Sequence, residues 1–478
     1  MADLDPEEFR RLGYAVVDWI ARYRAGVGEL PVRGDVEPGS VRDQLPGSLP
    51  EQPGTLDALL ADIDRVVVPA TTHWQSPAFF GYFPANASLH SLLGDMLSGG
   101  LGIQGMLWST SPAATEVEQV LMDGLADALG LDPAFTFAGG GGGSIQDSAS
   151  SGALVTLLAA LHRSDPRWRT DGVDGTERVY VTVETHSSLA KAVRVAGLGA
   201  RALRIVPPMP GSPAMSPDAL AAMLAADRAA GLRPVLVCPT VGTTGTGAVD
   251  PVRAVAAAAQ GVWVHVDAAW AGVAALCPEH RDLLDGVELV DSFCTNAHKW
   301  LQTAFDASLL WVRDARTLPD ALSITPEYLR NAASESGAVV DYRDWQVPLG
   351  RRFRALKLWT VINGYGLEGL RAHIRRHVAL ATELAGWVRD DPGFTLAVPR
   401  SLALVCLRVV TGDGPEADDA ATREVMERVN ASGEALLTHT VVDGRYVMRV
   451  AIGSATTEAA HVAALWERLR REATAVRG

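Results

Sequence analysis

The sequence predicts an α/β protein in which a mostly parallel sheet is flanked by helices. From residue 86 to residue 356, short apolar runs alternate with segments of helical periodicity, such as DALAAMLAADRAAG and DPVRAVAAAAQG. This alternation is typical of parallel strands connected through helices. The runs that predict buried strands are RVYVTVE (178–184), PVLVC (234–238), VWVHVD (262–267) and DSFCTN (291–296).

Helical segments precede this region, and weaker strands and helices follow it. Asp5 and Pro6 suit the cap and the first turn of a helix whose apolar residues recur on one face. A second helix is predicted near residues 55–66. Two such helices make a poor domain alone, so we expect them to pack on another subunit. The predicted divisions are an N-terminal helical dimerisation segment (1–85), a large ligand-binding domain (86–356) and a small C-terminal α+β domain (357–478).

Composition excludes several functional classes. The formal net charge of −14 argues against sequence-independent binding to nucleic acid or to an anionic membrane. The acidic N-terminus lacks the apolar segment of a signal peptide, and no apolar run approaches the roughly 18 residues of a membrane span. Single cysteines in apolar contexts predict buried free thiols in a reducing cytoplasm. These cysteines are Cys238, Cys277, Cys294 and Cys406.

The stretch AGGGGGSIQDSASSGAL (138–154) contains five consecutive glycines ahead of a predicted helix. Glycine runs are often flexible linkers. A glycine loop that leads into a helix can instead bind a phosphate, because unpaired N–H groups gather at the positive end of the helix dipole. The run matches neither the P-loop nor the G-x-G-x-x-G pattern, so nucleotide binding is not expected. A phosphate site remains open.

Polar residues follow several of the predicted strands, where ligands bind in open α/β sheets. They are His186, Thr244, Asp267 and Lys299. Each has an ordinary alternative: a lone lysine is usually a solvated charge, Asp267 could cap the next helix, and His186 could be a structural hydrogen-bonding residue. One ligand accounts for all of them. Pyridoxal phosphate has an aldehyde for Lys299, a ring nitrogen for Asp267, a flat face for His186 and a phosphate for the glycine loop.

At NAHKW the sequence resembles the pyridoxal phosphate-dependent aromatic L-amino acid decarboxylases, a branch of the group II decarboxylases. The matching segments occur in the family's order, and they are DPEEFRRLGYAVVDWIARY, THWQSPAFFGYFP, SPAATEVE, HSSLAKA, HVDAAWAG, DSFCTNAHKW, DYRDWQVPLGRRFRALKLW and AHIRRHV. The resemblance implies the aspartate-aminotransferase-like fold (fold type I), with residues 86–356 as the cofactor-binding domain. It also implies a homodimer with its active site at the interface.

The resemblance assigns roles to individual residues. Lys299 would bind the cofactor's aldehyde, Asp267 would pair with its ring nitrogen, and Tyr328 would donate a proton to the substrate. The residues expected to bind the cofactor are Ala149, Ser150, Thr244, Asp267, Ala269, Asn296, His298 and Lys299, and His186 would stack on the ring opposite Ala269. The residues expected to contact substrate are Tyr82, Ala85, His186 and Gly350.

The chain departs from the family at two positions. Ala85 stands where relatives often carry threonine, and Asp147 where some carry glycine. Gly350 occupies a position where some plant relatives use glycine for indoles and serine for phenols, which favours tryptophan-type substrates over tyrosine. The expected substrates are tryptophan, 5-hydroxytryptophan, DOPA, phenylalanine or tyrosine, and the expected products are the arylalkylamine and carbon dioxide.

Two other functions are alternatives to this assignment. An aldehyde synthase with the same fold deaminates its substrate oxidatively, and such relatives tend to carry phenylalanine at the position of Tyr328 or asparagine at that of His186. A non-enzymatic protein that kept the fold should lack Lys299. Both alternatives are therefore less favoured than a decarboxylase. His373 and His377 have the spacing of a helical metal pair, but without a third ligand in view we expect a solvated helix face and no metal site.

Overall fold

The computed structural model describes residues 3–324, 326, 332–335 and 337–478. It divides into two compact units. The first contains residues 1–84, 382–397 and 405–478, and the second contains residues 85–381 and 398–404. The first unit therefore combines both ends of the chain, and the second holds the larger sheet. The three-segment division expected from the sequence stays a prediction.

Helices cover much of the chain, and most begin where the sequence places a capping residue. Asp5 accepts hydrogen bonds from the backbone N–H groups of Glu7 (2.9 Å) and Glu8 (3.1 Å), which confirms it as the first cap. None of the described helices has the length and apolar character needed to cross a membrane. The described α-helices are α1 (Pro6–Gly26), α2 (Ser40–Asp43), α3 (Leu56–Asp62), α4 (Leu89–Leu101), α5 (Pro112–Leu129), α6 (Ala149–Ser164), α7 (Trp168–Asp171), α8 (Ser187–Val195), α9 (Pro217–Ala229), α10 (Val252–Ala258), α11 (Thr317–Leu322), α12 (Ala332–Glu335), α13 (Arg354–Asp390), α14 (Pro415–Ala431) and α15 (Ala459–Arg477).

The larger sheet has seven strands in the order β1-β7-β6-β5-β4-β2-β3. Strands β3, β2, β4, β5 and β6 are parallel, and β7 is antiparallel to both of its neighbours. The predicted mostly parallel α/β class is confirmed, and all four strands predicted from apolar runs are present. The strands are β1 (Gly142–Gln146), β2 (Glu177–Val181), β3 (Leu203–Ile205), β4 (Arg233–Val237), β5 (Trp263–Asp267), β6 (Ser292–Asn296) and β7 (Ser308–Val312).

A second, smaller sheet is built from C-terminal strands in the order β10-β11-β9-β8. Its β8–β9 and β10–β11 pairs are antiparallel. The C-terminal α+β pattern predicted from the sequence is present in this sheet and in α14 and α15. The strands are β8 (Phe394–Leu396), β9 (Leu404–Val409), β10 (Thr438–Val442) and β11 (Arg445–Ala451).

The glycine run lies at the wrong edge of the larger sheet for a phosphate loop. Through the intervening strand β7, Gly142 stands level with Ser292, the first residue of β6, whereas Gln146 stands level with Asn296, the last. Four residues of strand separate the two edges, which is about 13 Å. The expectation that the glycines bind phosphate is therefore wrong, and only the start of α6 lies at the edge where β6 ends.

Close packing against other segments explains why these positions are glycine. A Cβ atom at Gly141 would lie 2.1 Å from the carbonyl oxygen of Ala134 and 2.4 Å from that of Val312. A Cβ atom at Gly143 would lie 2.5 Å from the terminal methyl of Met122. The run is thus a tightly packed turn and edge strand, so the flexible-linker alternative is wrong as well.

Candidate active site

The segment that carries Lys299 begins at the end of β6 and is held by side chains from elsewhere in the same unit. Asn296, the last residue of β6, accepts a hydrogen bond at Oδ1 from the hydroxyl of Ser308 (2.7 Å). Asn86 Nδ2 donates to the backbone carbonyl of Lys299 itself (2.7 Å). Lys299 is half-buried between buried neighbours. These bonds fix the backbone around Lys299 at the carboxyl edge of the sheet.

Asp267 is the last residue of β5, next to β6 in the sheet. Its Oδ1 accepts a hydrogen bond from the backbone N–H of Ala269 (3.0 Å) and lies 3.8 Å from the Cys294 thiol. The contact to Ala269 resembles the capping role that the sequence left as an alternative. Because Asp267 is only half-buried, its carboxylate can also act as the counter-charge of a cationic ligand.

His186 caps α8 in the loop that follows β2. Its Nδ1 accepts the backbone N–H of Ser188 (3.2 Å) and lies 2.8 Å from the Ser188 hydroxyl, so the neutral ring carries its proton on Nε2. The residue is exposed, yet partial desolvation lowers the pKa of the imidazole; Asp267 acts to raise it, and Lys299 to lower it. Both charges therefore stand close enough to His186 to influence its protonation.

The start of α6 supplies backbone N–H groups at the same edge. Ser148 caps this helix of 16 residues, because its hydroxyl oxygen accepts the N–H of Ser151 (3.2 Å). Ala149 and Ser150, the first two helical residues, are half-buried and exposed, respectively. Their N–H groups belong to the first helical turn, where an anion is stabilised by the helix dipole.

Thr244 lies in the loop after β4. Hydrogen bonds to a carboxylate connect this loop to the loop of His186. The hydroxyls of Thr243 (3.2 Å) and Thr246 (3.0 Å) both donate to Oε2 of Glu184, two residues before His186. Thr244 itself is exposed between them. Sequence reasoning missed Glu184, because no local pattern marks a carboxylate whose partners lie some 60 residues away.

His298 is buried directly before Lys299. Its Nδ1 accepts the backbone N–H of Ala307 (3.0 Å), and its ring packs 4.8 Å from that of Phe305. Burial lowers the pKa of His298 to about 3, and Lys299 acts in the same direction. The imidazole is therefore neutral at physiological pH and shapes the segment without adding charge to it.

The other expected substrate residues are divided between the two units. Tyr82 belongs to the unit that contains the chain ends, where its ring stacks on Trp74 with centroids 5.5 Å apart. Ala85 is half-buried in the other unit. Gly350, in that unit too, is exposed, and a Cβ atom there would lie 3.3 Å from Gln104 Nε2. Tyr328 lies outside the described residues.

The two histidines with metal-pair spacing are not a solvated helix face. His377 is fully buried and accepts a hydrogen bond from Trp300 Nε1 (3.0 Å), so the expected solvation is wrong. His373 contacts the side-chain amide of Gln302. Within the described part of the chain, no cluster of three or more His, Cys, Asp or Glu residues has metal-binding geometry.

These residues fit pyridoxal phosphate in charge and in kind. Lys299 offers an amine for the aldehyde, and Asp267 offers a carboxylate for the pyridinium nitrogen. The anionic phosphate of the cofactor suits the first turn of α6, and the exposed ring of His186 suits the flat pyridine ring. Asp267 ends β5, Lys299 follows β6 and His186 follows β2, so all three residues lie at the carboxyl edge of the parallel strands.

Comparisons with known proteins agree with this fit. The family model described as the pyridoxal-dependent decarboxylase conserved domain matches residues 38–410. The chain is 46% identical to phenylacetaldehyde synthase of Arabidopsis thaliana, over 98% of this chain and 97% of that protein. It is 44% identical to tryptophan decarboxylase 2 of Oryza sativa subsp. japonica, over 99% and 96%, respectively.

A crystal structure of Oryza sativa TDC with PLP and tryptamine superimposes on the chain with a TM-score of 0.97 and 42% identity, covering 100% of both chains. This similarity confirms the type I fold implied by the resemblance. Together with the matched domain, it identifies the cofactor as pyridoxal phosphate. The chain belongs to the pyridoxal-dependent decarboxylase family.

Proposed function

We propose that this decarboxylase acts on aromatic L-amino acids and releases the arylalkylamine and carbon dioxide. The observation that carries the proposal is the placement of Lys299, Asp267 and His186 at the ends of the parallel strands β6, β5 and β2, at the carboxyl edge of the sheet. The similar proteins named for tryptophan decarboxylation and phenylacetaldehyde synthesis support an aromatic substrate.

Bound pyridoxal phosphate supplies an electron sink for the pair of electrons left when the carboxylate departs. Lys299 would supply the amine that holds the cofactor's aldehyde, and its side chain is half-buried. Asp267 would hold the ring nitrogen protonated through its negative charge. The N–H groups of Ala149 and Ser150, with the side chain of Asn296, would hold the phosphate.

The remaining residues position the ring and complete proton transfer. By the family resemblance, His186 and Ala269 would contact the two faces of the ring, and Thr244 and His298 would contact the cofactor. Tyr82, Ala85 and Gly350 would contact the substrate, and Tyr328 would deliver a proton to the substrate Cα.

The second candidate is an aldehyde synthase, because one protein 46% identical to the chain is named for that activity. An aldehyde synthase lets the Cα react with dioxygen instead of protonating it. Tyr328 and His186 favour protonation, because synthases of this family tend to lack one of these two residues. We therefore propose amine release as the main reaction.

We also propose a homodimer, on the basis of exposed apolar surface. Five residues of α4 recur at helical spacing on one face and are 49–59% exposed: Leu89, Leu93, Met96, Leu97 and Leu101. On α1, no residue is buried and Phe9 is 65% exposed. Patches of this kind in a chain of this size mark protein–protein contacts. A second copy of the chain is the partner that the family resemblance implies.

We place the enzyme in a reducing compartment, the cytoplasm. All four cysteines of the chain are buried and free of disulfides. Burial raises the pKa of Cys238 and Cys294 well above the ordinary thiol value, so both remain protonated and unreactive. Buried free thiols are typical of intracellular proteins.

Lys299→Ala tests the catalytic assignment. We expect the variant to bind the cofactor through its phosphate and ring contacts but to lose the covalent link, and amine release should fall by roughly 10³ or more. Mass spectrometry after borohydride reduction should find the cofactor on the Lys299 peptide of the parent and not on the variant. Lys191→Ala, which removes an exposed lysine of α8, is the control and should behave as the parent. Undiminished decarboxylation by Lys299→Ala would refute the assignment.

Tyr328→Phe tests the proton donor. The change keeps the ring and removes only the hydroxyl, so carbon dioxide should still depart. The Cα then waits longer for its proton and reacts with dioxygen, which yields aldehyde, ammonia and hydrogen peroxide at the expense of amine. We expect the aldehyde-to-amine ratio to rise in air and to fall again without oxygen. A slower reaction with an unchanged ratio would remove Tyr328 from proton transfer.

Gly350→Ser tests the substrate preference. The added hydroxymethyl begins 3.3 Å from Gln104 Nε2 and takes space that a bicyclic indole needs. We expect kcat/KM for tryptophan to fall about tenfold relative to that for tyrosine. Gly124→Ser is the control, because no atom lies within 4 Å of a Cβ built there. A parent enzyme that prefers tyrosine would contradict the indole preference.

Leu97→Glu tests the dimer. A buried, unpaired charge on the α4 face should dissociate the two copies, and sedimentation velocity at micromolar concentration should report a monomer. Val195→Glu places the same charge on an exposed valine of α8 and should leave the dimer intact. A parent chain that sediments as an active monomer would exclude the proposal.

A further inference from the structure

Trp300, the residue after Lys299, connects the segments that follow β5 and β6. Its buried indole stacks on that of Trp270, with centroids 5.2 Å apart and planes within 17°. Trp270 follows Asp267 by three residues. The segment that follows Asp267 and the segment that contains Lys299 are therefore joined through a pair of stacked indoles.

The loop after β4 packs against the same pair. Gly242 has a φ of +83°, and a Cβ atom there would lie 2.5 Å from the Cβ of Ala271 and 3.2 Å from the Trp270 ring. Only glycine fits this approach without strain. Trp270 thus packs against both the loop of Thr244 and the ring of Trp300.

His377 accepts a hydrogen bond from Trp300. The indole Nε1 donates to His377 Nδ1 (3.0 Å), and the two ring planes lie within 8° of each other. An indole nitrogen can only donate, so Nδ1 of His377 must carry a lone pair and the ring must be the neutral tautomer protonated on Nε2. The residue is fully buried on α13, within the same unit as Lys299.

His373 lies one helical turn earlier on α13 and contacts the same segment. Its Nε2 lies 2.5 Å from Nε2 of the Gln302 side-chain amide, and its Nδ1 lies 3.2 Å from a guanidinium nitrogen of Arg376. Burial lowers the pKa of His373 to about 3, so the ring is neutral at physiological pH.

We propose that His377 and His373 are positioning residues that, through Trp300 and Gln302, fix the backbone of residues 300–302 and thereby the direction in which Lys299 presents its amine. The inference rests on the proposed role of Lys299. It gives the helical histidine pair a purpose other than metal binding. His373 and His377 lie at positions i and i+4 on one face of α13. Their contacts with Gln302 and Trp300 hold the short segment 300–302 at two points.

The test compares His377→Phe and Trp300→Phe with a control variant that loses a similar buried hydrogen bond elsewhere. Each variant removes one partner of the Trp300–His377 bond and keeps an aromatic ring. Trp263→Phe is the control, because Trp263 is also buried and donates from Nε1 to a side chain, Ser292 Oγ (2.8 Å), at the opposite edge of the sheet. All three variants should unfold at a lower temperature than the parent.

The decisive measurement is amide hydrogen exchange over residues 297–303 in the cofactor-free protein. We expect exchange there to accelerate roughly tenfold in His377→Phe and Trp300→Phe, because a buried N–H or its acceptor is lost, and to stay at the parent rate in Trp263→Phe. His377→Asn, whose amide oxygen can replace Nδ1 as acceptor, should restore most of the protection.

In the cofactor-loaded enzyme, both variants should show a smaller fraction of cofactor reducible onto Lys299 and a kcat about tenfold lower, with KM changed far less. The double variant should lose little beyond either single one, because both break the same bond. If His377→Phe does not fold, Trp300→Phe alone decides. Exchange over 297–303 that matches the Trp263→Phe control would overturn the proposal. If exchange changes as expected but the Lys299→Ala variant is fully active, the proposed role of Lys299 is refuted instead.

Discussion

The register of the parallel strands is the constraint on which the site depends. Strands β6, β5, β4 and β2 are neighbours in the sheet and run in the same direction, so all four end at one edge. Their spacing of about 4.8 Å per strand gives that edge a width of roughly 15 Å, which suits a single flat cofactor with its phosphate. A slip of one residue in β5 would turn Asp267 to the opposite face and remove the carboxylate from the site.

Neutral imidazoles make the stability of the fold depend on pH. Burial lowers the pKa of His265 to about 4 and those of His298 and His373 to about 3. Because these values lie below the unfolded value of about 6.5, the unfolded chain binds protons that the folded chain does not. Their contribution to stability is therefore complete above about pH 6.5 and is lost as the pH falls towards the folded values. Acid thus weakens the segment around Lys299 together with the fold.

The shared fold explains why family and cofactor are easier to establish than substrate. Proteins named for decarboxylation and for aldehyde synthesis both align over nearly the whole chain. The framework is therefore common to both activities. We propose that the choice of ring and of product depends on a few positions, such as Gly350 and Tyr328.

The sequence by itself determined the strands, the helix caps and the residues at the strand ends, since these follow from local periodicity and from the order of elements along the chain. Asp5, Asp267 and Lys299 could all be located in this way. Only the tertiary structure decided the purpose of the glycine run, because its neighbour Val312 lies on a strand distant in sequence. It also decided the partners of His377 and of Lys299, which are 77 and 213 residues away, respectively. Local patterns record what a segment prefers, whereas a hydrogen bond between distant segments exists only once the sheet register and the helix packing bring them together.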